Sequence, residues 1–247
     1  MIKTEGLIIK EQVVGESDRL VTVLTRDMGV IRAFARRAKS MKDSKNSATQ
    51  LLCYSRLNIH DGRGKYIINE AFPIEIFFDL RKDIVKLSLS QYFCSLAAEI
   101  VPEAAESEDY LRLVLNALHF LAKTDKPELV VKAVSELRML SISGYMPDLV
   151  CCSNCGKYED DLMYFMIDSA VVFCSDCFTK TNMPYAVLSR ASLTAMRHII
   201  YSDFDKIFAF NISPTAQREC AAAVEAYVLS IVQHRMMTLD FYHSLQE

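Results

Sequence analysis

The chain has 247 residues, 51% hydrophobic and 24% charged, which suits one large or two smaller globular domains and excludes wholesale disorder. Its longest apolar stretch, Ala221 to Val232, contains Glu225 and falls short of the roughly 20 residues that span a bilayer. The net charge of −3 conceals an asymmetry: residues 1–80 carry 13 Lys/Arg against 10 Asp/Glu, and residues 81–247 carry 15 against 21. A basic part joined to an acidic part points to a polyanionic partner for the former. The start, Met1 to Gly6, shows no apolar secretory segment, so the expected compartment is the cytoplasm.

Taken in chain order, residues 2–14 read as a strand, followed by the turn Gly15-Glu16-Ser17-Asp18. Leu20–Thr25 and Val30–Ala35 read as two more, separated by Asp27-Met28-Gly29. A polar stretch follows, in which Ser40 to Thr49 is expected to become ordered only on binding. Leu51–Ile59 and Tyr66–Ala71 flank Asp61-Gly62-Arg63-Gly64, a hairpin signal. Five short strands in about 75 residues predict a five-stranded OB-fold barrel.

From Asp79 the pattern turns helical. Helices are expected over Ile84–Val101, ended by Pro102, and over Leu111–Ala122, after a cap and acidic first turn at Ser107-Glu108-Asp109. A third runs from Glu128 to about Ser143, with Gly144 just past its end. Ser189 opens a helix to about Tyr201, and Ser213-Pro214 opens a long one to about Met237. The fold class expected is therefore α+β and multidomain: residues 1–78 an OB-fold, 79–150 and 178–247 a helical domain, and 151–177 a cysteine-rich insert.

That insert carries the strongest motif. Cys152-Ser153-Asn154-Cys155 and Cys174-Ser175-Asp176-Cys177 are two C-x-x-C pairs with eighteen residues between them, a four-cysteine metal spacing. Two intervening residues let a tight turn aim both sulfurs at one ion. Zn²⁺ favours four tetrahedral thiolates, and a site filled by protein ligands is structural rather than catalytic. An iron–sulfur cluster takes the same ligands. Disulfides suit an oxidising compartment, and a redox C-x-x-C would stand alone beside a βαβ unit. Cys151 adjoins the first pair, but Cys152 keeps the spacing; Cys53, Cys94 and Cys220 lie in apolar contexts and read as core.

The second feature is the basic run Arg32, Arg36, Arg37, Lys39, Lys42 and Lys45. Cations that meet phosphates release condensed counterions and so bind nucleic acid without sequence choice. Phe34, which shares strand parity with Arg32 and Arg36, can supply stacking, as can Tyr54 and Tyr66. The same residues also suit a solvated loop over a packed Phe34. No phosphate-binding glycine loop, H-E-x-x-H or G-x-S-x-G occurs. The five histidines are scattered, and Glu103, Glu106, Glu108 and Asp109 suit a helix N-terminus better than a carboxylate active site.

The order of parts resembles the bacterial recombination-mediator family RecO. The resemblance rests on Gly15 to Gly29 for the first two barrel strands, on Ala35-Arg36-Arg37-Ala38-Lys39-Ser40 for the basic run, and on Pro147 five residues before the first knuckle. The chain departs from the family at Phe34, at Leu51, and at Ala170-Val171, where the family has glycine, proline and glycines. The resemblance implies a non-enzymatic protein of recombinational DNA repair. Such a protein binds single- and double-stranded DNA, anneals complementary strands, and acts with RecR to load RecA on DNA coated with single-strand-binding protein. The helical domain would dock RecR and the acidic tail of the single-strand-binding protein, in a bacterial, nucleoid-associated setting. Arg32, Arg36, Arg37, Lys39, Lys42 and Lys45 would contact phosphates, and Cys152, Cys155, Cys174 and Cys177 would hold a structural zinc. The alternatives are a zinc-ribbon assembly scaffold without DNA contact, and a magnesium-dependent nuclease with carboxylates not visible as a motif.

Overall fold

The computed structural model describes residues 1–38, 45–62 and 65–246. Two compact units emerge, one built from Met1–Thr124 with the segment from Met237 onward, the other from Asp125–Met236. The expected boundary near residue 79 marks the change from strands to helices; the compact units divide at 124/125 instead.

The first unit opens with a closed five-stranded barrel: β1 (Ile2–Val14), β2 (Asp18–Thr25), β3 (Val30–Ala35), β4 (Cys53–Asp61) and β5 (Tyr66–Ile76), in the order β1-β2-β3-β5-β4. Closure comes from the parallel β3–β5 pair and the antiparallel β1–β4 pair. This is the OB-fold that the strand spacing predicts. Alternate residues fill the barrel: Ile8, Val21, Val23, Ile31, Ala33, Leu57, Ile59 and Ile68 are buried. The polar stretch contributes to it too. A short helix α1 (Lys45–Ala48) places Ala48 in the core and Thr49 beside it, so this part of the Ser40–Thr49 segment is packed without any ligand; residues 39–44 lie outside the described residues. Arg19 fixes α1, its guanidinium donating to Asn46 O (2.6 Å), Asn46 Oδ1 (3.1 Å) and Thr49 Oγ1 (3.1 Å).

A 3-10 turn, Phe78–Lys82, leads to α2 (Ile84–Ile100) and α3 (Glu108–Lys123). Asp83 caps α2 by accepting from Val85 N and Lys86 N. Ser107 precedes α3 but makes no side-chain cap bond. Its hydroxyl instead reaches the β2–β3 turn, accepting from Gly29 N (3.0 Å) and donating to Thr25 O (2.6 Å). Backbone bonds run alongside, Ser107 N to Arg26 O (2.9 Å) and Ala104 N to Met28 O (3.2 Å). Gly29 has φ +64°, and a Cβ there would lie 2.1 Å from Pro102 O. Only glycine permits both the backbone conformation and the approach. Helix α7 (Met237–Ser244) closes this unit against α2, burying Leu239 and Tyr242.

The second unit contains α4 (Glu128–Ile142), four strands, α5 (Arg190–Tyr201) and α6 (Pro214–Val232). The expected helix to Met237 stops at Val232 because Gln233 adopts φ +59°, a left-handed cap. The strands β6 (Asp148–Cys152), β7 (Leu162–Met166), β8 (Val171–Cys174) and β9 (Tyr185–Ser189) form a sheet of order β6-β8-β7-β9. The sequence pattern predicts a cysteine insert among helices and gives no sign of this sheet, whose strands are short and interrupted by the knuckles. Leu149, Met163, Phe165, Val172 and Leu188 are buried in this unit, and Phe165 meets Tyr227 of α6 edge-on at 5.6 Å. Beneath α6 lies a buried charge cluster. Lys132 Nζ stands 2.7 Å from both Glu136 Oε1 and Glu225 Oε2. Burial pushes the ammonium toward neutrality, but the two carboxylates outweigh it and raise its pKa.

Substitutions at two positions test this packing. Gly29→Ala should lower the unfolding free energy by about 2–4 kcal/mol, combining left-handed strain with overpacking. Gly15→Ala should cost only about 1 kcal/mol, since Gly15 has φ +63° but open space around it; equal losses at the two glycines would contradict the close approach at Gly29. Lys132→Met should cost about 3–5 kcal/mol at neutral pH by stranding Glu136. Because the folded-state pKa of Lys132 is raised, its contribution is complete below the unfolded value of about 10.4 and is lost as pH rises through the folded value. The wild-type-minus-variant difference, followed by chemical denaturation, should therefore shrink as pH rises on the alkaline side.

Candidate metal centre and nucleic-acid interface

The two C-x-x-C pairs meet because their strands are parallel. Cys152 is the last residue of β6 and Cys174 the last of β8, and parallel pairing brings both strand ends to one end of the sheet. Each pair then turns back in a knuckle. Gly156 N donates to Cys152 O (2.9 Å), Cys177 N and Phe178 N donate to Cys174 O (3.1 and 2.9 Å), and Gly156 takes φ +74°. The Sγ atoms of Cys152, Cys155, Cys174 and Cys177 all lie within 4.8 Å of one another, with Cys155 and Cys174 at 3.6 Å. This cluster can hold a metal ion, and Cys151 is not part of it. At Cys152, burial raises the thiol pKa, but hydrogen bonds from backbone groups of Cys155, Cys174 and Asn154 prevail and lower it to about 6. Cys53, Cys94 and Cys220 are buried core residues, and burial pushes the latter two thiols up to about 12.

Two supports of the cluster have no counterpart in the sequence pattern. Arg197 of α5 is 7% exposed; its guanidinium donates to Leu149 O (2.7 Å), Val150 O (2.9 Å) and Tyr158 O (2.6 Å). It also lies over the Tyr158 ring at 4.1 Å. One cation thus ties β6 to the loop leaving the first knuckle. Phe178, next to Cys177, stacks on Tyr164 of β7 with centroids 3.9 Å apart and planes within 2°, which pins the second knuckle to the sheet. A buried arginine in a helix of ordinary amphipathic pattern gives no sequence signal of its three carbonyl partners. Ala170, where the resemblance expects glycine, sits in the β7–β8 turn at φ +55°, and a non-glycine residue there carries left-handed strain.

The basic residues divide by role. Arg32 projects from the outer face of the barrel, since its neighbours Ile31 and Ala33 fill the core. Across that face, Lys10 of β1 pairs with Thr22 of β2, which pairs with Arg32 of β3; the next row is Gln12, Leu20 and Phe34. Lys10 joins the row because a bulge between Ile8 and Lys10 resets the parity of β1, and alternation alone could not reveal it. Arg36 and Arg37 are exposed in the turn after β3. Arg37 has φ +56°, and its backbone N–H donates to Asp18 Oδ1 (2.8 Å). Lys45 donates to Arg36 O (2.9 Å) and so holds that turn. Lys39 and Lys42 lie outside the described residues. Tyr54 donates to Glu5 Oε2 (2.7 Å), and burial followed by that carboxylate raises its pKa to about 12. Among the described residues no helix is long and apolar enough to cross a membrane.

Replacing Arg197 by Met should remove three hydrogen bonds to carbonyls, that to Leu149 O buried, and lower stability by about 3 kcal/mol. It should also speed loss of zinc loaded into the cluster to a chelator, read by absorbance of a chromogenic indicator. An unchanged release rate would show that Arg197 supports the sheet but not the knuckle.

Known proteins resemble the chain along its whole length. The family model described as Recombination protein O N terminal matches residues 1–77, and that described as Recombination protein O C terminal matches residues 81–240. A protein named DNA repair protein RecO from Acetivibrio thermocellus is 31% identical over 244 residues, covering 99% of this chain and 97% of its own length. Proteins of the same name from Dehalococcoides mccartyi strain CBDB1 and Symbiobacterium thermophilum are 29% and 27% identical, covering 99% and 100% of this chain and 96% and 98% of theirs. The two family models match in the order of barrel first, then helices with the four-cysteine cluster, and the chain belongs to the recombination protein O family of DNA repair proteins.

Proposed function

We propose that the protein binds DNA along the outer face of the barrel and anneals complementary strands, acting with RecR to load RecA onto DNA coated with single-strand-binding protein. The observation that carries the DNA-binding step is the row Lys10–Thr22–Arg32, which continues to Arg36 and Arg37 beside Phe34. Neutralising two phosphate backbones on one basic surface lowers their mutual repulsion, so complementary strands can meet. Lys39, Lys42 and Lys45 belong to the same proposed phosphate contacts. The partner roles rest on family membership, as does the absence of covalent chemistry from this reading.

The metal proposed for the four cysteines is zinc in a structural role. Four thiolates at about 2.3 Å from a central ion stand about 3.8 Å apart when tetrahedral, which agrees with the 3.6 Å between Cys155 and Cys174. Protein ligands fill all four positions, so the ion would brace the sheet end.

The test is binding to a fluorescent single strand across a salt series, comparing wild type with Arg32→Ala/Arg36→Ala/Arg37→Ala. The log–log slope should shrink by about 0.7 for each phosphate no longer neutralised. Stripping the metal should lower the melting temperature while leaving that slope unchanged. Binding insensitive to the triple substitution would put the DNA elsewhere, and no binding at low salt would favour an assembly scaffold.

A further inference from the structure

Beside the Lys10–Thr22–Arg32 row lies a cleft of about 640 Å³, bounded by β1, β2 and β3 on one side and by α2 and α7 on the other. Its volume falls within the range of small-molecule sites, about 300–1,000 Å³. Its apolar lining includes Ile9, Leu20 and Ala98. Thr22, Gln12, Gln91 and Ser95 add hydroxyl and amide groups that both donate and accept. Lys10 and Arg32 line the cleft and form no ion pair among the described residues; Glu11 lines it too, its carboxylate accepting from Leu51 N (3.1 Å). They flank Thr22 on neighbouring strands, which sets their backbones about 9–10 Å apart.

This combination suits a planar heterocycle with donors and acceptors on its edge and an anion on either side. A nucleotide within a strand has that chemistry. We propose that the cleft takes one unstacked base of a bound single strand, with its flanking phosphates held by Lys10 and Arg32. The inference rests on the reading that DNA lies on the barrel's outer face, and deepens it. The apolar lining takes the base faces, while Gln12, Gln91 and Ser95 meet the base edge without selecting one base, because amides and hydroxyls can serve either as donor or acceptor. An acidic apolar peptide also offers anions for the cations and backbone groups for the amides, so it is one of the outcomes that the test separates.

The test uses a single strand of about 16 nucleotides, the upper footprint of one such barrel, with 2-aminopurine at each position in turn. Among the described residues no aromatic ring lines the cleft, so an inserted probe should brighten as it leaves its stacked neighbours. Ala98 is exposed on α2, and Ala98→Phe should narrow the cleft from the α2 side and leave both cations in place. It should abolish the brightening and weaken binding about fivefold, the lower end of what losing one base contact costs, at an unchanged salt slope. Lys10→Ala should reduce the slope by about 0.7. Ala98→Ser, with a melting curve for each variant, separates filling from misfolding. Wild type that binds DNA without brightening, or Ala98→Phe that brightens normally, overturns the base pocket and leaves the DNA reading intact. Absence of DNA binding by wild type at low salt overturns both. If Ala98→Phe keeps full DNA binding but no longer binds an acidic apolar peptide, the base pocket is overturned and the cleft is a peptide site.

Discussion

The contact between Gly29 and the α2–α3 connection is the constraint on which the first unit depends. A β-barrel of five strands is small, and its hairpin turns are normally free to face water. Here the β2–β3 turn is held by a serine hydroxyl that accepts from one backbone group and donates to another, by two further backbone bonds, and by a carbonyl that would stand 2.1 Å from any Cβ at position 29. Ser107 could have capped α3; its hydroxyl serves the turn instead. The barrel, α2 and α3 therefore pack together within this unit, and Leu7 and Leu24, which point out of the barrel, are fully buried. Where that cover ends, the outer face of β1–β3 remains open and the cleft against α2 and α7 begins.

The same economy governs charge. Of the cations near the barrel, Arg19 holds α1, Lys45 holds the turn after β3, and Arg26 pairs with Glu5. These side chains shape the surface. Lys10, Arg32 and Arg36 project from it, on one face and at one end. A formal charge of −3 says nothing of this arrangement, since what a polyanion meets is the local field rather than the total.

In the second unit a parallel strand pair does the corresponding work. It brings two sulfur pairs separated by eighteen residues to one point, and Arg197 and Phe178 hold one knuckle each. Outer groups of this kind orient ligands and tune a site. Ala170 shows that the arrangement tolerates some strain: the turn requires a left-handed residue whether or not it is glycine.

The sequence by itself determined the five barrel strands, most helix starts, and the four cysteines, because each depends on local chemistry. Alternation marks a strand, Ser-Pro opens a helix, and two C-x-x-C pairs at metal spacing have few other uses. The break after Val232 and the sheet around the knuckles were less legible, since a left-handed glutamine and four- or five-residue strands leave almost no pattern. Only the tertiary structure decided that Lys10 shares a row with Arg32, that Ser107 serves a turn 78 residues away, and that Arg197 braces the strand that leads into the four-cysteine cluster. Those facts depend on strand register, a bulge and close packing between distant segments, and none of the three is encoded within a window of neighbouring residues.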